Sequence, residues 1–189
     1  MKMMKIIGLC GSARSGKDTF FDCMKEVLKD EKAKCRRVAF ADELKIDLDL
    51  FLMQKFKISA WTVDDKEKAL IRPIMVSYGE AMREISKSYW INKVKAKVDK
   101  NFKSGITSVI TDVRYENEVE FINRSENSKC LYIEREGIKP ANKEEAENDP
   151  SLRKGSCDSL IWRTFGDEEI YKCKPIVKSC LRRLQLIEK

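Results

Sequence analysis

Two rhythms of apolar residues alternate along this chain. Residues 4–10, MKIIGLC, form a short apolar run interrupted by a glycine, as in a central strand buried on both faces. From 17 to 29 the spacing changes, and Phe20, Phe21, Met24, Val27 and Leu28 recur with the period of a helix. The alternation continues with a strand at 37–41 and a helix at 42–56 that carries Leu44, Leu48, Leu52 and Phe56 on one face. Thr62 and Asp65 offer caps for a further helix reaching Ser86, interrupted near Pro73. Trp90, Ile91, Val94, Val98 and Phe102 stripe the next helix. Gly105 opens ITSVITD, a strand that ends in a carboxylate. A helix over 116–124, a strand at 129–134, an irregular polar stretch to Cys157, the short strand SLIW and a C-terminal helix complete the series. Strands alternating with helices predict an α/β fold: a parallel sheet of about five strands covered by helices on both faces.

Residues 137–155, GIKPANKEEAENDPSLRKG, show no clear period and read either as a surface loop or as a lid. A length of 189 residues suits one domain with small insertions. Region 42–104 is the expected helical insertion and 136–157 the expected lid. The net charge of +7 supplies positive potential for phosphorylated metabolites, nucleic acid or acidic surfaces, and it is equally the mark of a lysine-rich surface. The basic run KVKAKVDKNFK is the solvated side of a striped helix, which argues against nucleic acid as the partner. The seven cysteines have no C-x-x-C spacing and there is no histidine, so they read as free or buried thiols of a reducing compartment. The first apolar run is too short for a signal-peptide core, and no stretch nears the ~20 residues of a membrane span. A soluble cytoplasmic protein is expected, acting in a host cytoplasm if it is viral.

The chemistry is concentrated in GSARSGKDT, between the first strand and the first helix. Gly11, Gly16 and Lys17 match the phosphate-binding loop G-x-x-x-x-G-K-[ST], but Asp18 stands where a hydroxyl is usual. Gly11 and Gly16 let backbone N–H groups of Ser12, Ala13, Arg14 and Ser15 curl around a phosphate, and the following helix adds the positive end of its dipole. Lys17 supplies a mobile cation for the β and γ phosphates. Asp18 either binds Mg²⁺, faces the acceptor, or holds the loop, with Thr19 beside it as a second hydroxyl or a packing group. Asp112 ends its strand where open α/β sheets place ligands, and reads either as a magnesium-organising carboxylate or as a solvated cap. No acidic residue directly follows Asp112, which leans away from hydrolysis and toward transfer. Phosphoryl transfer needs converging cations more than acids or bases, so the lack of histidine is no handicap. Arg14, Arg72, Arg83, Arg114 and Arg135 fall beside the expected edges, though each taken alone reads as a surface arginine.

Through nearly its whole length the sequence resembles the phage-type deoxynucleoside monophosphate kinases and, more distantly, the animal-type phosphomevalonate kinases. GSARSGKDT is similar to the family loop, in which Asp and Thr also follow the lysine. FADELK resembles a segment that implies substrate-side roles for Asp42 and Lys45. IRPIMVSYGEAMRE followed by YWINKV resembles an arginine, glycine-acidic, arginine and aromatic series, implying that Arg72, Gly79, Glu80, Arg83 and Trp90 border the acceptor, Trp90 as a stacking surface. ITDVRYENE resembles D-x-R-x-x-x-E and implies that Asp112, Arg114 and Glu118 lie at the transfer centre. Arg135, in IEREG, resembles the lid-strand arginine. EEAE, from Glu144 to Glu147, replaces the family's H-x-S/T-E and keeps its terminal acid, and RTFG replaces an N-x-G-like segment near the donor base, which implies a donor-side place for Arg163.

The resulting expectation is a P-loop kinase using ATP and Mg²⁺ to phosphorylate a nucleoside or deoxynucleoside monophosphate, as a monomer or homodimer. Lys17 and Arg114 carry the transfer, with Asp18, Thr19 and Asp112 toward the metal. A kinase of phosphomevalonate or a similar metabolite is the alternative, and a P-loop protein without catalysis is another. An aromatic wall built from Trp90, Tyr89 and Tyr78 would mark a base-binding acceptor site.

Overall fold

A computed structural model describes residues 5–162 and 170–187. Five strands form one fully parallel sheet: β1 (Ile6–Cys10), β2 (Cys35–Val38), β3 (Thr107–Val113), β4 (Ser128–Arg135) and β5 (Asp158–Trp162), in the order β2-β3-β1-β4-β5. β1 is central, with Ile7 paired to Val109 of β3 on one side and to Lys129 of β4 on the other. All five of its residues are buried, which explains why it reads as a run with no alternation. The helices are α1 (Lys17–Asp30), α2 (Phe40–Phe56), α3 (Asp65–Ile85), α4 (Tyr89–Lys103), α5 (Glu116–Arg124), α6 (Lys143–Gly155) and α7 (Ile170–Arg183).

The chain divides into two compact units, residues 1–38 with 97–189, and residues 39–96. In the first, Phe20, Met24 and Val27 of α1 and Cys173, Val177 and Leu181 of α7 pack with Ile7, Leu9, Val109, Leu131 and Ile133 of the sheet. Full burial of Phe20 alone contributes about 1.5–3 kcal/mol. α5 covers the sheet from another side, close enough that a Cβ on Gly8 would stand 2.6 Å from Ile122 Cδ1. In the second unit, Leu48 and Leu52 of α2 pack with Ala60 and Ile71, joined by Leu44, Ile58, Ile74, Met75 and Tyr78.

Most expected elements form within a residue or two of their predicted bounds, and four readings change. β2 starts at Cys35 and ends at Val38, two residues before and three residues short of the expected strand. Phe40 already begins α2, because Asp42 and Glu43 in its first turn suit the positive helix terminus. The cap of α3 is Asp64, whose carboxylate accepts from Lys66 N and Glu67 N at 2.9 Å each, and neither Thr62 nor Asp65 takes that place. Pro73 does not interrupt α3: Ile71, Ile74, Met75 and Tyr78 hold one continuous apolar face across it.

The fourth change falls in the aperiodic stretch, where residues 143–155 are helical. Asn142 caps α6, its side chain accepting from Glu145 N at 2.8 Å, while Leu152 is its one buried residue among those described. An element held by a cap and by polar contacts leaves no apolar stripe to read.

Candidate active site

β1 delivers the chain into the loop at the carboxyl edge of the sheet, between strands leading to opposite sides, where open α/β sheets leave room for a ligand. Gly11 has φ +126°, and a Cβ there would lie 2.0 Å from Ile133 O, so no side chain fits. Arg14 (φ 63°) and Gly16 (φ 90°) also take left-handed conformations, and Gly16 caps α1, with Phe20 N donating to its carbonyl at 2.9 Å. Alternating hand turns successive N–H groups inward, the construction of an anion-binding nest. Ser15 is buried within the loop.

Lys17, the first residue of α1, curls back over this loop. Its ammonium donates to Gly11 O at 2.8 Å, to Ser12 O at 2.7 Å and to Ser15 Oγ at 3.4 Å. Burial holds its pKa below the ordinary 10.5 and Arg114 pushes the same way, against the pull of Glu145, Asp18 and Cys10. Asp18 is exposed on the first turn of α1 and Thr19 is half-buried. Asp112 is half-buried near the end of β3, which pairs with β1 at Cys10.

Arg114 leads out of β3, more than half exposed, and its guanidinium meets Glu145 Oε1 at 3.2 Å. Glu118 lies directly behind Arg114. It is buried, and its Oε2 accepts from Arg114 N at 2.8 Å and Tyr115 N at 3.2 Å. Through Oε2 it closes the first turn of α5 and fixes the backbone that presents Arg114.

Glu145 is the residue that sequence reasoning missed. From the third position of α6 its Oε2 accepts from Ala13 N of the loop at 3.2 Å and from Ala141 N at 2.9 Å. Burial pushes its pKa up, yet those two N–H groups together with Arg114 and Lys17 outweigh it and hold the carboxyl below its ordinary value of 4.5. The spacing from Asn142 to Glu145 is a legible start signal for a helix, but nothing local reports that the carboxylate meets a loop 132 positions away. Arg135 ends β4 half-buried. Arg163 lies outside the described residues, as does the rest of RTFG.

The residues assigned to the acceptor belong to the second unit. Asp42 and Lys45 are half-buried on α2, with Lys45 Nζ 4.8 Å from the ring centre of the exposed Trp61. Arg72 and Glu80 are exposed on α3 and Arg83 is half-buried. Gly79 lets two helices approach: a Cβ would stand 2.8 Å from Leu44 Cδ1. Trp90 is no stacking surface. It is 3% exposed, its Nε1 donates to Gly79 O at 3.2 Å, and it meets Tyr89 and Tyr78 edge-on with ring centres 4.8 Å and 6.1 Å away. Both tyrosine hydroxyls donate to Asp47 Oδ2, at 3.1 Å from Tyr89 and 3.3 Å from Tyr78, and Lys93 pairs with the same carboxylate. Burial and the Asp47 and Tyr89 neighbours raise Tyr78 to about 12. Of the expected aromatic wall, Trp90 is internal packing of the second unit, while Tyr78 and Tyr89 are half-buried with their hydroxyls on Asp47.

No group of three or more acidic, cysteine or histidine side chains able to hold a metal occurs among the described residues. All seven cysteines are free, and burial, next to Cys173, lifts the Cys23 thiol to about 11. No helix among the described residues is long and apolar enough to cross a membrane.

A parallel five-stranded sheet with a lysine-bearing phosphate loop at its central strand is the construction of the P-loop small-molecule kinases. The phosphomevalonate kinase family model matches residues 9–128, more than half of the chain, and the chain belongs to that family. No curated protein matches it. Among solved structures it is similar to TT1252 from Thermus thermophilus (16% identity, 97% of this chain and 99% of that one, TM-score 0.46). It is likewise similar to a dephospho-CoA kinase from Campylobacter jejuni (15% identity, 96% and 99%, TM-score 0.48). A third is a shikimate kinase from Bacteroides thetaiotaomicron (13% identity, 96% and 98%, TM-score 0.43). Likeness at this level carries no statement about substrate.

Proposed function

We propose that this protein transfers the γ-phosphoryl group of ATP to a small phosphorylated metabolite, with a non-nucleotide phosphomonoester of the phosphomevalonate kind as the acceptor. The observation that carries the reading is the loop of Gly11 to Lys17, with its left-handed glycines and lysine, inside the segment matched by the family model. The burial of Trp90 supports the non-nucleotide acceptor, because it takes away the ring expected to stack on a base.

In this reading the loop N–H groups and the dipole of α1 hold the donor phosphates, and Lys17 turns from Gly11 O and Ser12 O toward them. Arg114, on a backbone pinned by Glu118, offsets charge on the migrating group. Asp112, with Asp18 or Thr19, would hold Mg²⁺, which when bound neutralises phosphate charge. An acceptor phosphate oxygen attacks the γ-phosphorus as the bond to ADP breaks in line, leaving a diphosphorylated product. Residues on α2 and α3, among them Lys45, Arg72, Arg83 and Glu80, are proposed to bind the acceptor, and residues 136–157 to act as a lid.

A nucleoside monophosphate remains the second reading, favoured by the ordered motif series and by the exposed Trp61 ring under Lys45. Coupled ADP release measured over phosphomevalonate and a panel of ribo- and deoxyribonucleoside monophosphates tests both. Acceptor-dependent turnover that Lys17→Ala abolishes is expected, with phosphomevalonate preferred. Nucleotide binding with no acceptor phosphorylated would overturn the catalytic reading, and turnover with nucleoside monophosphates alone would replace the acceptor.

A further inference from the structure

We propose that Glu145 is a built-in competitor for the donor phosphate, a carboxylate seated in the phosphate loop that a nucleoside triphosphate must displace before it can bind. This rests on the reading of the loop as the donor site. Ala13 lies between Gly11 and Gly16, so its N–H is among those an anion would use, and here that N–H is spent on Glu145 Oε2 at 3.2 Å. The other oxygen, Oε1, takes Arg114 at 3.2 Å. A backbone N–H of the nest and a guanidinium are the partners a phosphoryl oxygen seeks. Glu145 is 12% exposed, so this carboxylate is enclosed where it sits.

Lys17 completes the self-satisfied state. Its ammonium has three donors and all three point at Gly11 O, Ser12 O and Ser15 Oγ. With Glu145 supplying the anion and the loop supplying acceptors to the lysine, the site is electrostatically closed by its own residues. Phosphate entry must break both arrangements at once. Glu145 is released with contacts in reserve, since Ala141 N donates to Oε2 at 2.9 Å and Asn142 Oδ1 accepts from Glu145 N at 2.8 Å. The start of α6 can thus swing from the loop as a capped unit, coupling donor binding to movement of the segment that carries it.

The test is calorimetric titration of MgADP and MgATP into wild type and Glu145→Gln, which keeps the shape and removes the charge. Nucleotide binding tightened roughly tenfold in the variant is expected, from the loss of two charge-assisted contacts. Asn142→Ala, which loosens the seat of Glu145 without touching the loop, is expected to tighten binding in the same direction by a smaller factor, and it serves if Glu145→Gln fails to fold. Wild type that binds nucleotide while the variants bind equally or more weakly would overturn the competition and leave the donor-site reading standing. No binding by any of the three would overturn both.

Discussion

Replacing Trp90 by phenylalanine separates a packing residue from a substrate platform. The indole is 3% exposed and donates from Nε1 to Gly79 O at 3.2 Å. That carbonyl lies inside α3 and keeps its helical partner, so losing the indole donor costs a net of about 0.5–1.5 kcal/mol and not the full penalty of an orphaned acceptor. Phenylalanine also removes buried ring atoms, worth roughly 2 kcal/mol at about 0.8 kcal/mol per buried carbon. The edge-on contacts with Tyr89 and Tyr78 survive in weakened form. The sum is about 3 kcal/mol, which for a chain of this size lowers the melting temperature by roughly 6–12 °C. Differential scanning calorimetry measures that shift, and steady-state kinetics well below the melt measure the acceptor KM, expected within about threefold of wild type. A variant that melts like wild type while its KM for a nucleoside monophosphate rises by an order of magnitude would refute this reasoning and restore Trp90 as a stacking surface.

Two further outcomes are expected. Gly11→Ala places a Cβ 2.0 Å from Ile133 O at φ +126°; backbone strain of about 1–3 kcal/mol and overpacking of about 1–3 kcal/mol should show as a lowered melting temperature together with lost ADP binding, and a variant that melts and binds as wild type contradicts the role of the nest. For Lys17, burial lowers the pKa below 10.5 in the free protein, whereas a bound polyphosphate favours the charged amine and raises it. Below the lowered pKa the lysine is already charged and affinity is flat with pH; above it, in the alkaline range toward 10.5, binding takes up a proton and affinity falls by about tenfold per pH unit. Titration in buffers of different ionisation enthalpy detects that proton, and none should be taken up by Lys17→Met.

How much of this was legible in the chain differs from element to element. The five buried residues of β1 and the apolar face of α5 announce themselves, since continuous and 3.6-period patterns are what burial on two sides and on one side leave in a sequence. The loop is legible for a stricter reason, because glycine is required where φ reaches +126° and a carbonyl stands 2.0 Å from any Cβ. α6 is not legible by period, as Leu152 is its sole buried residue among those described and a polar cap starts it. Its onset is written only in the spacing of Asn142 and Glu145.

By itself, then, the sequence determined the alternation of strands and helices, the parallel sheet and the position of the phosphate loop, because each is encoded in local spacing or local backbone requirement. Only the tertiary structure decided where the functional groups of that pattern are spent. Trp90 looks like a site residue in a motif, yet it is packed beneath Gly79, and Glu118 caps the turn that presents Arg114. Glu145 looks like one acid in a polar run, yet it reaches Ala13 in the loop. A side chain's chemistry is fixed by its identity, but its partners are fixed by contacts between elements far apart in sequence, and periodicity reports that a face is buried without saying against what.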